Sequence, residues 1–143
     1  MDMKRIVIGT IVGAVTLHIV GYVLFDLTTL GTYYAANVGP ATGTLRDVPL
    51  QWAIGVGNLA LAGLLTVWIA SRGSAQTTGG GFATGAVIGF LVWFQADFVL
   101  FGYTNLWNLQ VTIVDPFLSS IPSGVAGAVI AAVLPRVPKS AAA

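Results

Sequence analysis

Four long stretches without a formal charge constrain this chain more than any other feature. They run over 6–25, 48–71, 73–96 and 116–135. An α-helix needs about 20 mostly apolar residues to cross the hydrocarbon core of a bilayer. Lipid cannot satisfy exposed backbone groups, so such stretches must be helical. They are too long and too uniformly apolar for barrel strands, which alternate. The sequence therefore predicts four spans, at about 6–30, 48–70, 82–105 and 116–134. Composition agrees: 56% of the 143 residues are hydrophobic and 8% are charged, where soluble domains carry about 25% charged residues. Eleven charged side chains, six basic and five acidic, cannot cover a soluble domain of this size, nor is the composition that of a disordered chain. A net charge of +1 gives no reason to expect nucleic acid, and the absence of Cys excludes disulfides and thiol chemistry.

Lys4 and Arg5 precede the first apolar run, as in a signal peptide, but the run is too long and lacks a convincing small-residue cleavage site. It is read as a retained helix. Five of the six basic residues then fall on one side of the membrane, with Arg46 alone opposite. The positive-inside rule predicts cytoplasmic termini and a cytoplasmic 71–81 linker, with 31–47 and 106–115 outside. Tyr33, Tyr34, Trp52, Tyr103 and Trp107 fall near the outer interface and Trp68 near the inner one, depths that amphipathic rings favour.

The linker Gly73-Ser-Ala-Gln-Thr-Thr-Gly-Gly-Gly81 is small and polar and divides the chain into hairpins at 6–70 and 82–134, with a tail at 135–143. The halves are alike. Gly9-Thr-Ile-Val-Gly13 and Tyr22-Val-Leu-Phe25 align with Gly85-Ala-Val-Ile-Gly89 and Phe98-Val-Leu-Phe101. Asp47-Val-Pro49 and Asp115-Pro116 each open the following span, and both aspartates read as helix N-caps with Pro just inside. The expected fold is an all-α, four-helix transmembrane bundle of two pseudo-repeated helical hairpins in a single domain, the repeat being parallel about an axis along the membrane normal. Pro122 should kink the last span or mark an irregular first turn, with Ser119, Ser120 and Ser123 satisfying the carbonyls it frees. Small residues at helical spacing, including Gly81, Gly85, Gly89 and Ser123, Gly127, Ala131, predict close helix contacts, and two such faces on the last span suggest a dimer.

Polar groups inside the spans carry the functional signal, because each is costly in lipid. His18, Asn58 and Trp93 sit near the midpoints of spans 1 to 3, with Gln95 and Asp97 just outward of Trp93. His18, Tyr22 and Asp26 follow at i, i+4, i+8 and form a stripe. The expected ligand-binding set is His18, Tyr22, Asn58, Trp93, Gln95 and Asp97, in a cleft opening outward near Asp26, Thr104 and Asn105, with His18 and Asp97 able to exchange a proton. The plainer reading, favoured for His18 and Asn58, is that they cross-link helices by hydrogen bonds; for Asp97 the functional reading is favoured. Phe90, Phe94, Phe98, Phe101 and Trp93 read first as a packing or lipid-facing stripe, and second as a seat for a flat hydrophobic ligand such as a sterol, quinone or pigment. A lone His18 is a weak tetrapyrrole ligand. No Glu, phosphate loop, metal-ligand pair or nucleophile triad is present, so no catalytic or metal residue is assigned and no enzyme activity is expected.

Met3-Lys4-Arg5-Ile6, Asn58-Leu59-Ala60, Asp97, and Thr104-Asn105-Leu106-Trp107-Asn108-Leu109 followed by Asp115 and a small-residue span resemble a bacterial family of small four-helix integral membrane proteins of unknown function. The resemblance implies a bacterial cytoplasmic membrane protein and supplies no activity, ligand or cofactor. Asn105 and Asn108 read by default as loop caps. Two functions are expected: binding or transport of a hydrophobic or polar small molecule or ion at the midplane cluster, or a non-catalytic structural or regulatory subunit, as a homo-oligomer or within a larger membrane complex.

Overall fold

The computed structural model describes residues 2–39 and 51–138. Among them the chain forms five α-helices: α1 (Met3–Gly21), α2 (Leu30–Ala36), α3 (Gln51–Ser71), α4 (Thr78–Tyr103) and α5 (Leu109–Val133). A π-helical turn, Tyr22–Asp26, continues α1, and single 3-10 turns cover Gly73–Gln76 and Leu134–Arg136. Four helices are long and apolar enough to cross a membrane, counting the π turn with α1. Asp47, and with it the expected cap of span 2, lies outside the described residues, as do Arg46 and Lys139.

The element ends differ from expectation in three places, each with a local cause. The first span does not run helically to residue 30: it loosens into the π turn and then bends into α2. The glycine-rich linker is shorter than 71–81, because Thr77 accepts a hydrogen bond from the Gly80 amide and starts α4 at Thr78. The last helix starts at Leu109, not Pro116. Asn108 is its cap, its side chain accepting from the Val111 amide at 3.0 Å. Asp115 is therefore a helix-interior residue and not an N-cap, and Pro116 and Pro122 both lie within α5. The helix passes both prolines, while the Ser120 and Ser123 hydroxyls donate to the carbonyls of Phe117 and Ser119.

α5 is the spine. α4 packs chiefly on it, and α1 packs on both α3 and α5. Small residues let the backbones meet. A Cβ at Gly81 or Gly85 would run into the backbone carbonyls of Gly127 and Ser123, and one at Gly127 would strike Gly81. Gly124 faces the Phe82 ring, also on α4. Gly124 and Gly127 of α5 thus both meet α4 within the chain. Gly9 and Gly13 are likewise filled by Thr66, Leu134, Ala62 and Ile130.

The apolar core, including Leu17, Leu65, Ile69, Ile130 and Leu134, occupies one half of the bundle. Arg5 donates from Nε to the Leu134 carbonyl at 3.0 Å, so the start of α1 and the end of α5 share that end. Ala75, in the α3–α4 connection, joins the same core. Lys4, Arg5, Arg72 and Arg136 therefore collect at one end, with the Arg72 guanidinium 3.9 Å from the centre of the Trp68 ring. Leucine at Gly127 should force α4 and α5 apart. We expect destabilisation of at least about 1–3 kcal/mol, the usual cost of overpacking, read as a fall in thermal midpoint in detergent. An exposed-position control, Gly102→Leu, has open space for its Cβ and should leave the midpoint in place.

Candidate functional site

The other half of the bundle is hollow. A cavity of about 420 Å³ opens between α1, the π turn, α2, α3 and α5, with Trp93 of α4 on its wall. Its size falls within the usual range for small-molecule pockets, roughly 300–1,000 Å³. It begins where the core ends, since Leu17 belongs to both. The π turn faces it: Tyr22, Phe25 and Asp26 all line the space. Such turns shift the angular register of a helix and recur at functional sites.

Of the six residues selected from sequence, His18, Tyr22, Asn58 and Trp93 line this cavity. His18 and Asn58 also line an apolar groove on the other side of the α1–α3 contact, so they form the wall between the two spaces. The α1–α3 contact itself is made by apolar groups, including Ala14, Leu17, Ala62 and Leu65. Gln95 and Asp97 are not in the lining. Gln95 is exposed; residues two apart on a helix lie about 200° apart, so Gln95 and Asp97 cannot share a face. Asp97 is buried, at 4% exposure, and turns to α5 rather than α1. The Asp115 carboxyl is its acidic neighbour, and its Oδ2 has no hydrogen-bond partner. The sequence reading pairs Asp97 with His18; the structure places it beside Asp115 of α5, outside the cavity that His18 lines.

Asp115 is the residue the sequence reading missed. It lines the cavity from α5. The Tyr34 hydroxyl donates to its Oδ1 and the Ser119 hydroxyl donates to its Oδ2, the latter at 3.1 Å. Each carboxylate oxygen has two lone pairs, so further acceptor capacity remains. Burial first, and then the bond to Asp115, push the Tyr34 phenol above its ordinary range, which keeps it a donor.

Tyr34 reaches this position because the outer connections are tied together. Val38 pairs with Trp107 in an isolated antiparallel bridge. The Gly39 amide donates to the Leu106 carbonyl at 2.8 Å, and Asn108 Nδ2 donates to Asn37 Oδ1 at 3.0 Å. A Cβ at Gly39 would collide with the Asn105 carbonyl, so this close approach requires glycine. The Tyr34 ring stands edge-on to Trp107 and to Phe25, with centroids 6.2 and 5.7 Å apart. Tyr34 and Trp107, expected at the membrane interface, are thus cavity walls, whereas Trp52 and Tyr103 are exposed. Thr104 ends α4, its hydroxyl donating to the Leu100 carbonyl at 2.7 Å, and it is not in the lining. Phe90, Phe94, Phe98 and Phe117 form a continuous ring contact, with the Phe94 and Phe98 centroids 4.5 Å apart.

Compared with protein-family models, curated proteins and solved structures, the chain matches none of them significantly. The site must be argued from its own chemistry.

Removing the Tyr34 hydroxyl leaves Asp115 short of a donor, so Tyr34→Phe should cost about 1–3 kcal/mol, measured by thermal or denaturant unfolding. The sign with pH is fixed. A phenol whose pKa is raised on folding stabilises fully below its unfolded value, about 10, and loses that contribution as pH rises further. The difference between wild type and Tyr34→Phe should therefore be constant through neutral pH and shrink in alkali. A difference that grows in alkali would contradict the Tyr34–Asp115 contact.

Proposed function

We propose that this protein is a four-span integral membrane protein that binds a small molecule, for storage, sensing or transport, in the cavity between α1, α2, α3 and α5. The observation that carries this reading is the combination of a ligand-sized space with convergent polar groups at membrane depth. His18, Asn58, Tyr34, Asp115 and Ser119 all border it. A bundle that only needed to pack would fill this half with Leu, Ile and Ala, as it fills the other half, because intramembrane polar groups are costly. The collection of Lys4, Arg5, Arg72 and Arg136 at one end supports cytoplasmic termini and a cavity facing outward. Gly9 and Gly85 each face the hairpin partner of their own helix, α3 and α5 respectively, which supports the duplicated-hairpin origin. Membership of the bacterial family that the sequence resembles is part of the same proposal and adds no ligand to it.

Gly21 offers a direct test. It lines the cavity, and a Cβ there would meet nothing within 4 Å. Gly21→Phe should fill the space while leaving the fold and thermal midpoint intact. Small molecules co-purifying with wild type in native nanodiscs, identified by mass spectrometry, should be lost from this variant. Identical small-molecule content in the two preparations contradicts the cavity as the site.

A further inference from the structure

We infer that the cavity selects an organic cation, held by Asp115 among aromatic walls. This rests on the reading of the cavity as a ligand site and names the chemistry of its occupant.

The first support is the sign of the lining. Among the described residues, the acidic side chains facing the space are Asp115 at its depth and the exposed Asp26 at its rim, and no Lys or Arg lines it. The described basic residues lie at the far end, around Arg5 and Arg72. An anionic ligand would meet no formal positive charge there. The second is the wall. Tyr22, Phe25, Tyr34, Trp93 and Trp107 all contribute to it. Aromatic faces around a carboxylate suit an ammonium group, through the attraction of a cation to the ring quadrupole. The third is the pair behind. The Asp97 carboxyl neighbours that of Asp115 from α4, buried and outside the lining, so Asp115 is the carboxylate that a ligand in the cavity meets. An ammonium group there gives the Asp115 carboxylate a counter-charge in a low-dielectric setting. The remaining titratable groups facing Asp115 are Tyr34 from α2 and His18, Tyr22 and Asp26 from α1 and its π turn; α3 contributes only the neutral Gln51 and Asn58.

Full-length protein in nanodiscs is titrated calorimetrically with phenyltrimethylammonium, with its uncharged carbon isostere tert-butylbenzene, and with benzoate, against empty nanodiscs. The cation should bind saturably and at least about tenfold more tightly than the isostere, and benzoate should not bind. Asp115→Asn should weaken the cation by about 10- to 100-fold, the loss expected when the carboxylate's coulombic attraction in a poorly solvated site is removed. The proposal is overturned if the isostere binds as tightly as the cation or if Asp115→Asn binds as wild type does, and in either case a cavity blocked by Gly21→Phe still stands as a ligand site. It is also overturned if none of the three probes binds; the Gly21→Phe comparison then decides separately whether the cavity reading falls with it. The wild-type comparison of cation and isostere needs no variant to fold.

Discussion

A carboxylate inside an apolar helix must find partners, and most of the upper half of this protein follows from how Asp115 finds them. It draws a phenol from α2 and a hydroxyl from its own α5, and the Asp97 carboxyl of α4 lies beside it. Bringing Tyr34 to it requires the outer connections to fold back, which the Asn37–Asn108 contact and the Val38–Trp107 bridge accomplish. That return places Tyr34 and Trp107 over the space between α1 and α5 instead of at an interface with lipid. The cavity is thus bounded by the elements that satisfy Asp115, and its aromatic walls are a consequence of the same arrangement.

The two halves of the bundle solve opposite problems. Near the basic end, small residues bring helices into backbone contact and Leu, Ile and Ala fill what remains. In lipid no hydrophobic effect drives helices together, so close packing of this kind holds the bundle. Toward the other end, the π turn releases α1 from regular packing at Tyr22, and polar residues replace apolar ones. α5 runs through both halves. Its lower part meets α4 through Gly127 and Ala131, and its upper part carries Asp115 and Ser119 to the cavity. Rigid packing below gives the polar groups above a fixed frame, as a binding site requires.

The four long apolar helices were legible in the sequence because charge-free length is a strong signal, and α1, α3 and α4 lie close to the predicted spans. Local signatures misled where tertiary contacts took over. Asp115-Pro116 looks like a helix start, yet Asn108 offers an earlier cap and the helix continues through both prolines. Gly79 to Gly81 look like a flexible linker, yet Gly81 is needed for the approach of α4 to α5. Within the site, angular position was the harder thing to read. His18, Tyr22, Asn58 and Trp93 share the cavity, but Gln95 lies on the far side of the helix from Asp97, as its spacing of two residues already implied. Tyr34 and Asp115 could not be paired from sequence, because 81 positions separate them and only the paired outer connections bring them together.

The account therefore turns on where the Asp97 carboxyl sits. The chain has five acidic residues, all Asp, so a protein labelled with carbon-13 at the aspartate side-chain carboxyl gives a simple solid-state NMR spectrum in bilayers. Carboxyl–carboxyl correlation should show one cross-peak, between Asp97 and Asp115, that disappears in Asp97→Asn. A spectrum without a carboxyl–carboxyl contact, or with Asp97 correlated instead to the His18 ring, would contradict it.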